Sequence, residues 1–264
     1  MLRLRVEQRR QGELSGPAAD SAVPVNVKAL AGGPLLIRPR SSDIDMIFDT
    51  YVAGLHLPPA EIRDRSLGRI VELGTNMGTG LAGLAVRYPE AKLLGVEPDP
   101  ENAALAGRNV ARFDGRCRIV QAAIWDVDTD LVIERTRREW GLVVRPREAA
   151  DPPEWPTVPA LSVGSVLADF EPGEPIDFMF MDIEGTEQRV LEADDTAWAE
   201  RVRCIRVECE HQYDADVAAC CDALARMGFG IRVESVSWGA FIFGVRAEPG
   251  QTAAPGLSDA AGAH

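Results

Sequence analysis

Cysteine is sparse and unpaired in pattern: five residues in a chain of 264, none in a C-x-x-C spacing. That leaves no zinc knuckle and no disulfide framework, and reads as a reduced, cytoplasmic protein. Histidine is scarcer, with only His56, His211 and His264. Positive charge is also short, 28 Lys+Arg against 41 Asp+Glu, for a net charge of -13. A field of that sign repels phosphate backbones and anionic lipid surfaces, which argues against nucleic-acid and membrane partners. No apolar run approaches the roughly 20 residues that span a bilayer. Met1-Leu2-Arg3-Leu4-Arg5 leads into polar residues rather than the apolar core of a signal peptide. No internal repeat is visible.

What is present is enough apolar sequence for a core, 46% hydrophobic with 26% charged, as expected of one globular domain with appendages. Residues 1–60 read as an N-terminal extension. It has a frayed polar start, two short strands (25–27 and 35–37) around Gly32-Gly33-Pro34, and a helix opened by Ser42-Asp43 with Ile44, Ile47, Phe48 and Tyr51 on one face. From 61 to 246, strand-length apolar runs at 70–73, 93–97, 118–124, 176–181 and 202–209 alternate with helical patterns. A paired element at 230–234 and 238–245 closes the domain. Strands separated by helices predict a doubly wound, mostly parallel sheet with right-handed crossovers. Residues 134–160 carry five prolines together with Trp140 and Trp155 and predict an insertion or long loop. The Ala/Gly/Pro/Ser-rich tail, 247–264, predicts disorder.

The richest stretch is Ile70-Val71-Glu72-Leu73-Gly74-Thr75-Asn76-Met77-Gly78-Thr79-Gly80, followed by Val96-Glu97-Pro98-Asp99. It describes a strand ending in an acid, a loop whose glycines let a ligand approach the backbone, a helix, and a second strand ending in an acid. The order G-x-x-x-G-x-G is not the G-x-G-x-x-G of a dinucleotide fold. Glu72 would repel a pyrophosphate at the helix start but suits a cationic amino-acid or sulfonium group. Glu97 is placed to accept bonds from ribose hydroxyls. The pattern favours S-adenosylmethionine over a nicotinamide. An NAD(P)-dependent oxidoreductase is the rival enzyme, and a non-catalytic nucleoside-binding protein the rival of another class.

Three blocks carry a family resemblance: Val71 to Gly78, Gly95-Val96-Glu97-Pro98-Asp99-Pro100-Glu101-Asn102, and Met181-Asp182-Ile183-Glu184-Gly185-Thr186-Glu187 with Val190-Leu191. They resemble the D-V-G-A-N-x-G, F-E-P-x-P and K-I-D-V-E-G-x-E motifs of the FkbM family of S-adenosylmethionine-dependent methyltransferases, over about residues 35–243. Two positions depart from it: Glu72 stands for the family's usual Asp, and Met181 for a common Lys. Residues 163–167 look like a degraded T-L-D-D-L element, and Arg38 with Ser41-Ser42-Asp43 like its R-x-x-x-S-D preface.

The resemblance implies a class I, Rossmann-like methyltransferase fold: a seven-stranded sheet with one antiparallel strand, plus the small N-terminal β/α extension as a possible acceptor lid. It also implies O-methylation of a sugar or secondary-metabolite hydroxyl. The expected cofactor residues are Glu72, Gly74, Thr75, Asn76, Gly78, Glu97, Pro98, Ala123, Trp125 and Asp182, with Asp126 on the adenine side. Asp182, Glu184 and His211 are the catalytic candidates. Arg206, Glu208 and Glu210 share one strand face, and Asp182, Glu208 and Glu210 are the oxygen set that could hold Mg²⁺, although a metal is not the expected cofactor. His211 is the imidazole best placed by sequence to remove a hydroxyl proton. Oligomeric state, a homodimer included, stays open.

Overall fold

A computed structural model describes residues 21–31, 33–113, 115–135 and 142–246. The start expected to be frayed, the tail expected to be disordered, Trp140 and His264 lie outside them. Strands β1 (Val23–Asn26) and β2 (Pro34–Ile37) pair antiparallel, and α1 (Asp43–Phe48) runs on into a π turn, Asp49–Ala53. The start of α1 is fixed by Asp43, whose carboxylate accepts from the Arg38 amide at 2.8 Å and from its guanidinium. After a short α2 (Ala60–Arg63), the alternation begins: β3 (Arg69–Leu73), α3 (Thr79–Arg87), β4 (Lys92–Glu97), α4 (Pro100–Val110) and β5 (Cys117–Gln121). Asp99 caps α4 by accepting from the Glu101 and Asn102 amides, with Pro100 in the first turn.

The 118–124 run is not one strand. The chain leaves the main sheet at Ala122, and β6 (Ala123–Ile124) joins β7 (Thr129–Arg135), β8 (Leu142–Arg145) and β9 (Thr157–Leu161) in a second sheet of order β6-β9-β7-β8. The segment expected as an insertion or long loop at 134–160 thus supplies the end of β7, all of β8 and most of β9, with 146–156 irregular between the last two. The apolar residues of this second sheet, among them Leu131, Ile133, Val144 and Val158, pack with Trp125 in a separate cluster.

After α5 (Val163–Leu167) come β10 (Phe178–Met181), α6 (Glu187–Leu191), β11 (Cys204–Glu210), α7 (Val217–Arg226), β12 (Gly230–Val236) and β13 (Gly239–Val245). The main sheet has the order β12-β13-β11-β10-β3-β4-β5. β13 runs antiparallel to both neighbours, and β11, β10, β3, β4 and β5 are parallel. β10, buried at all four positions, reads as a continuous apolar run because helices cover both faces.

The N-terminal extension is tied down by polar contacts. Asn109 of α4 accepts from the Leu36 amide at 2.7 Å and donates to the Leu36 and Met77 carbonyls. Tyr51 donates to the Thr79 carbonyl at 2.8 Å, and Arg206 of β11 to that of Leu57 at 3.2 Å. No helix among the described residues is long and apolar enough to cross a membrane.

Candidate active site

The carboxyl ends of β3, β4, β10 and β11 open on one cavity of about 610 Å³, within the range of sites that enclose small ligands. On its β3–β4 side the loop after β3 is built from backbone bonds. The Gly74 and Thr75 amides both donate to the Val96 carbonyl, at 2.9 and 3.0 Å. Gly74 has φ 84, and a Cβ there would lie 1.7 Å from the Asp182 carbonyl oxygen, so only glycine lets the two strand ends meet. Asn76, at φ 48, accepts from the Met77 amide through its own side chain. Its backbone N–H donates to Glu97 Oε2 at 2.8 Å, and Asp99 N–H donates to Glu97 Oε1 at 3.0 Å. Burial nevertheless pushes the Glu97 carboxyl up to about 7, against these bonds. Pro98, Ala122, Ala123 and Ile124 continue this side as an apolar wall, completed by Leu142 and Val144 of β8.

The β10–β11 side is crowded with acid. Asp182, Glu184, Glu208 and Glu210 line it, with Asp45 and Asp49 from the extension. Among the described residues, seven of those lining the cavity are Asp or Glu and none is Lys or Arg. The turn after β10 puts Glu184 at φ 55 and Gly185 at φ 96. Buried Glu187 braces it, accepting from the Ile183 amide at 2.8 Å and the Gly185 amide at 3.0 Å. Burial holds the Asp182 carboxyl well above the carboxylate range, and the negative charges of Glu208, Glu184, Glu187 and Glu210 add to it. Glu184 is pushed up to about 9 by burial and by Glu210, against a hydrogen bond from the Tyr213 hydroxyl. Glu208 is raised by burial although Trp238 Nε1 donates to it at 2.8 Å.

Of the residues expected to hold cofactor, Gly74, Asn76, Glu97, Pro98, Ala123 and Asp182 line this cavity, as do the catalytic candidates Glu184 and His211. Glu72, Thr75, Gly78 and Trp125 do not. Glu72 is 0% exposed, with one oxygen 2.8 Å from His56 Nδ1 and the other accepting from the Thr75 hydroxyl. Gly78 faces α4, where a Cβ would sit 3.0 Å from Ala106 Cα. Trp125 packs in the second sheet under the Arg189 guanidinium, which also bonds Asp126 at 2.9 Å.

Among the described residues the acids close enough to share a cation are Asp182, Glu184 and Glu210, so Glu184 replaces the expected Glu208 in that set. Sequence reasoning missed His56, Leu142, Val144 and the bracing role of Glu187. Leu142-Val143-Val144 is a short alternating-depth run that could have been read as a strand, whereas nothing local marks His56.

Three comparisons bear on this geometry. Ribosomal RNA small subunit methyltransferase H of Leifsonia xyli subsp. xyli (strain CTCB07) is 34% identical over 77 residues, 29% of this chain and 21% of that protein. The chain thus matches about a fifth of that relative's length. Among solved structures, the Methanococcus jannaschii fibrillarin pre-rRNA processing protein shares 11% identity with a TM-score of 0.48, covering 88% of this chain and 86% of that one. Precorrin-6y C5,15-methyltransferase from Geobacter metallireducens GS-15 shares 11% with a TM-score of 0.46, covering 74% and 88%. At those scores neither structure carries an argument about this chain. The methyltransferase FkbM domain matches residues 74–231, from the first glycine of the β3 loop into β12. Spanning well over half the sequence and both sides of the cavity, that match makes the chain a member of the FkbM family of S-adenosylmethionine-dependent methyltransferases.

Proposed function

We propose that the protein transfers a methyl group to a hydroxyl of a small molecule, a sugar or secondary metabolite that carries no phosphate. The observation that supports this most is the two-sided cavity: a backbone-built nucleoside side faces an acid-lined side with no Lys or Arg among the described residues. An anionic acceptor would be repelled there, whereas a neutral or cationic polyol finds acceptors for its hydroxyls.

The residues fit the family's cofactor. Gly74 and Asn76 would hold the methionine portion, Glu97 the ribose, and Pro98 and residues 122–124 with Leu142 and Val144 the adenine. The Asp182 carboxyl, which has no hydrogen-bond partner among the described residues, faces the same space as Glu184 and His211. When bound, the sulfonium supplies an electrophilic methyl carbon. The protein's part is then to align the acceptor oxygen and take its proton. In this reading Asp182, Glu184 and His211, which line the cavity, serve the acceptor side. Acidic groups at such spacing do not by themselves call for Mg²⁺.

Calorimetry with S-adenosylhomocysteine, NAD and NADP, followed by transfer of labelled methyl to panels of neutral, cationic and anionic hydroxyl compounds, tests the reading. Expected are binding of S-adenosylhomocysteine alone and an O-methyl product from a neutral or cationic compound. Methyl found on nitrogen or carbon, or a preference for phosphorylated acceptors, would overturn it.

A further inference from the structure

We propose that His56, held by Glu72, is the base that takes the acceptor's hydroxyl proton; this rests on the O-methylation reading above. His56 lies in the N-terminal extension, outside residues 74–231 of the family match. Its loop is built in place. Leu55 N–H donates to the Asp49 carbonyl at 3.0 Å and Leu57 N–H to that of Gly54 at 3.1 Å. Arg63 Nε donates to the Pro58 carbonyl at 2.9 Å. From β11, Arg206, a residue 5% exposed, donates to the Leu57 carbonyl at 3.2 Å, and its guanidinium sits 4.0 Å over the Phe241 ring. The imidazole edge rests on Phe180, ring centroids 4.9 Å apart.

The chemistry follows from the tautomer. A buried carboxylate can only accept, so the Nδ1 atom 2.8 Å from Glu72 Oε1 carries the hydrogen. In the neutral ring the Nε2 lone pair is then free. Nε2 has no hydrogen-bond partner among the described residues, and the ring lines the cavity. Glu72 keeps its other oxygen on the Thr75 hydroxyl, so the orienting carboxylate is itself oriented. Gly80, in the first turn of α3, serves this pair: a Cβ there would lie 2.1 Å from Glu72 Oε1 and 2.2 Å from His56 Nδ1. His211 also lines the cavity, but it is exposed and its ring has no orienting partner among the described residues.

The charged groups facing His56 are Glu72 from β3 and Glu208 and Arg206 from β11. Phe180 of β10 and Gly80 of α3 meet it without charge. In the step, the acceptor O–H proton passes to Nε2 and an oxygen lone pair forms the bond to the methyl carbon. The electrons of the broken C–S bond return to sulfur, leaving S-adenosylhomocysteine, and the imidazolium later gives its proton to solvent.

The test joins spectroscopy to turnover. In ¹⁵N NMR of the wild-type protein with S-adenosylhomocysteine, His56, assigned by its loss in His56→Gln or by elimination using His211→Gln and His264→Gln, is expected as the Nδ1–H tautomer, with Nε2 protonating reversibly as the pH falls. An Nε2–H tautomer, or a ring fixed in one protonation state, overturns the proposal. With glycerol at high concentration as the hydroxyl compound, His56→Gln should slow S-adenosylhomocysteine release roughly 100-fold or more. It should also lose one ionisation from the pH–rate profile and change S-adenosylhomocysteine affinity by less than about threefold, while His211→Gln keeps that ionisation. An unchanged rate, or loss of that affinity in a folded variant, overturns it. If the wild type leaves glycerol unmethylated, the tautomer decides. A wild-type protein that binds no S-adenosylhomocysteine defeats the methyltransferase reading instead.

Discussion

The two sides of the cavity solve opposite problems. On the β3–β4 side nearly every polar atom already has a partner: Glu97 accepts two backbone amides, and the Gly74 and Thr75 amides share the Val96 carbonyl. On the β10–β11 side Asp182 and Glu184 are held far above their ordinary range by burial and by the negative charge of neighbouring acids. The first side is finished before a ligand arrives, which lowers the cost of ordering it on binding. The second holds buried carboxyls that resist ionisation, and an acceptor with donors or positive charge would favour their charged form. A rigid donor site beside an electrostatically strained acceptor site is what one constant cofactor and one particular acceptor require.

The two sides meet at Gly74, and breaking that seam should have the largest effect. Gly74→Ala places a methyl 1.7 Å from the Asp182 carbonyl at a positive φ. It is expected to cost more than about 3 kcal/mol, or to prevent folding, as read by chemical denaturation. Gly107→Ala, in α4 with open space around its Cβ position, should instead stabilise by about 0.5–1 kcal/mol.

The same contrast should appear in pH dependence. A carboxyl whose folded pKa lies above its unfolded value makes the fold most stable below the unfolded value, and that stability is lost as the pH rises through the folded one. Glu97 and Glu187, both raised from 4.5 to about 7, act between those limits, and Glu184 continues the loss to about 9. Denaturation of the ligand-free protein should show stability falling from pH 5 to 8, with Glu97 alone contributing on the order of 3 kcal/mol. S-adenosylhomocysteine, whose ribose favours ionised Glu97, should flatten the first part of this slope and leave the part due to Glu184. An unchanged slope would mean Glu97 does not meet the ligand.

Glu97→Ala sharpens the donor side further. Losing a hydrogen bond to a charged group costs about 1.5–3 kcal/mol, so S-adenosylhomocysteine affinity should fall roughly 10- to 100-fold in calorimetry.

The donor side was the more legible of the two in the sequence, because its chemistry lies in short contiguous runs. Strand, turn and acid come in order at 70–80 and 93–99, and backbone geometry alone places Gly74, Asn76 and Glu97. Glu72 shows the limit. Its type and spacing are those of a ligand-facing acid, yet it turns to His56, sixteen residues upstream, and no local pattern announces a contact made by packing an extension onto a sheet. The second sheet was obscured by its prolines, which lie in and between its strands and resemble loop composition. Glu187 needed the turn itself, since only the folded chain shows two amides converging on it.

The smallest expected effect isolates the acceptor side. Glu184 is partly buried, shares its surroundings with Glu210, and is bonded by the Tyr213 hydroxyl. Glu184→Gln keeps an oxygen for that hydroxyl while removing the proton uptake that folding demands of this carboxyl above its unfolded value. The ligand-free protein should therefore gain about 1 kcal/mol near pH 8, a rise in Tm of about 2–4 °C, and much less at pH 5, close to the carboxyl's unfolded value. S-adenosylhomocysteine affinity should stay within about threefold, because the donor side keeps all its contacts. A variant destabilised at both pH values would show that the charge is not strained but needed for the turn. In that case the acid side would be scaffold rather than a site prepared for an acceptor.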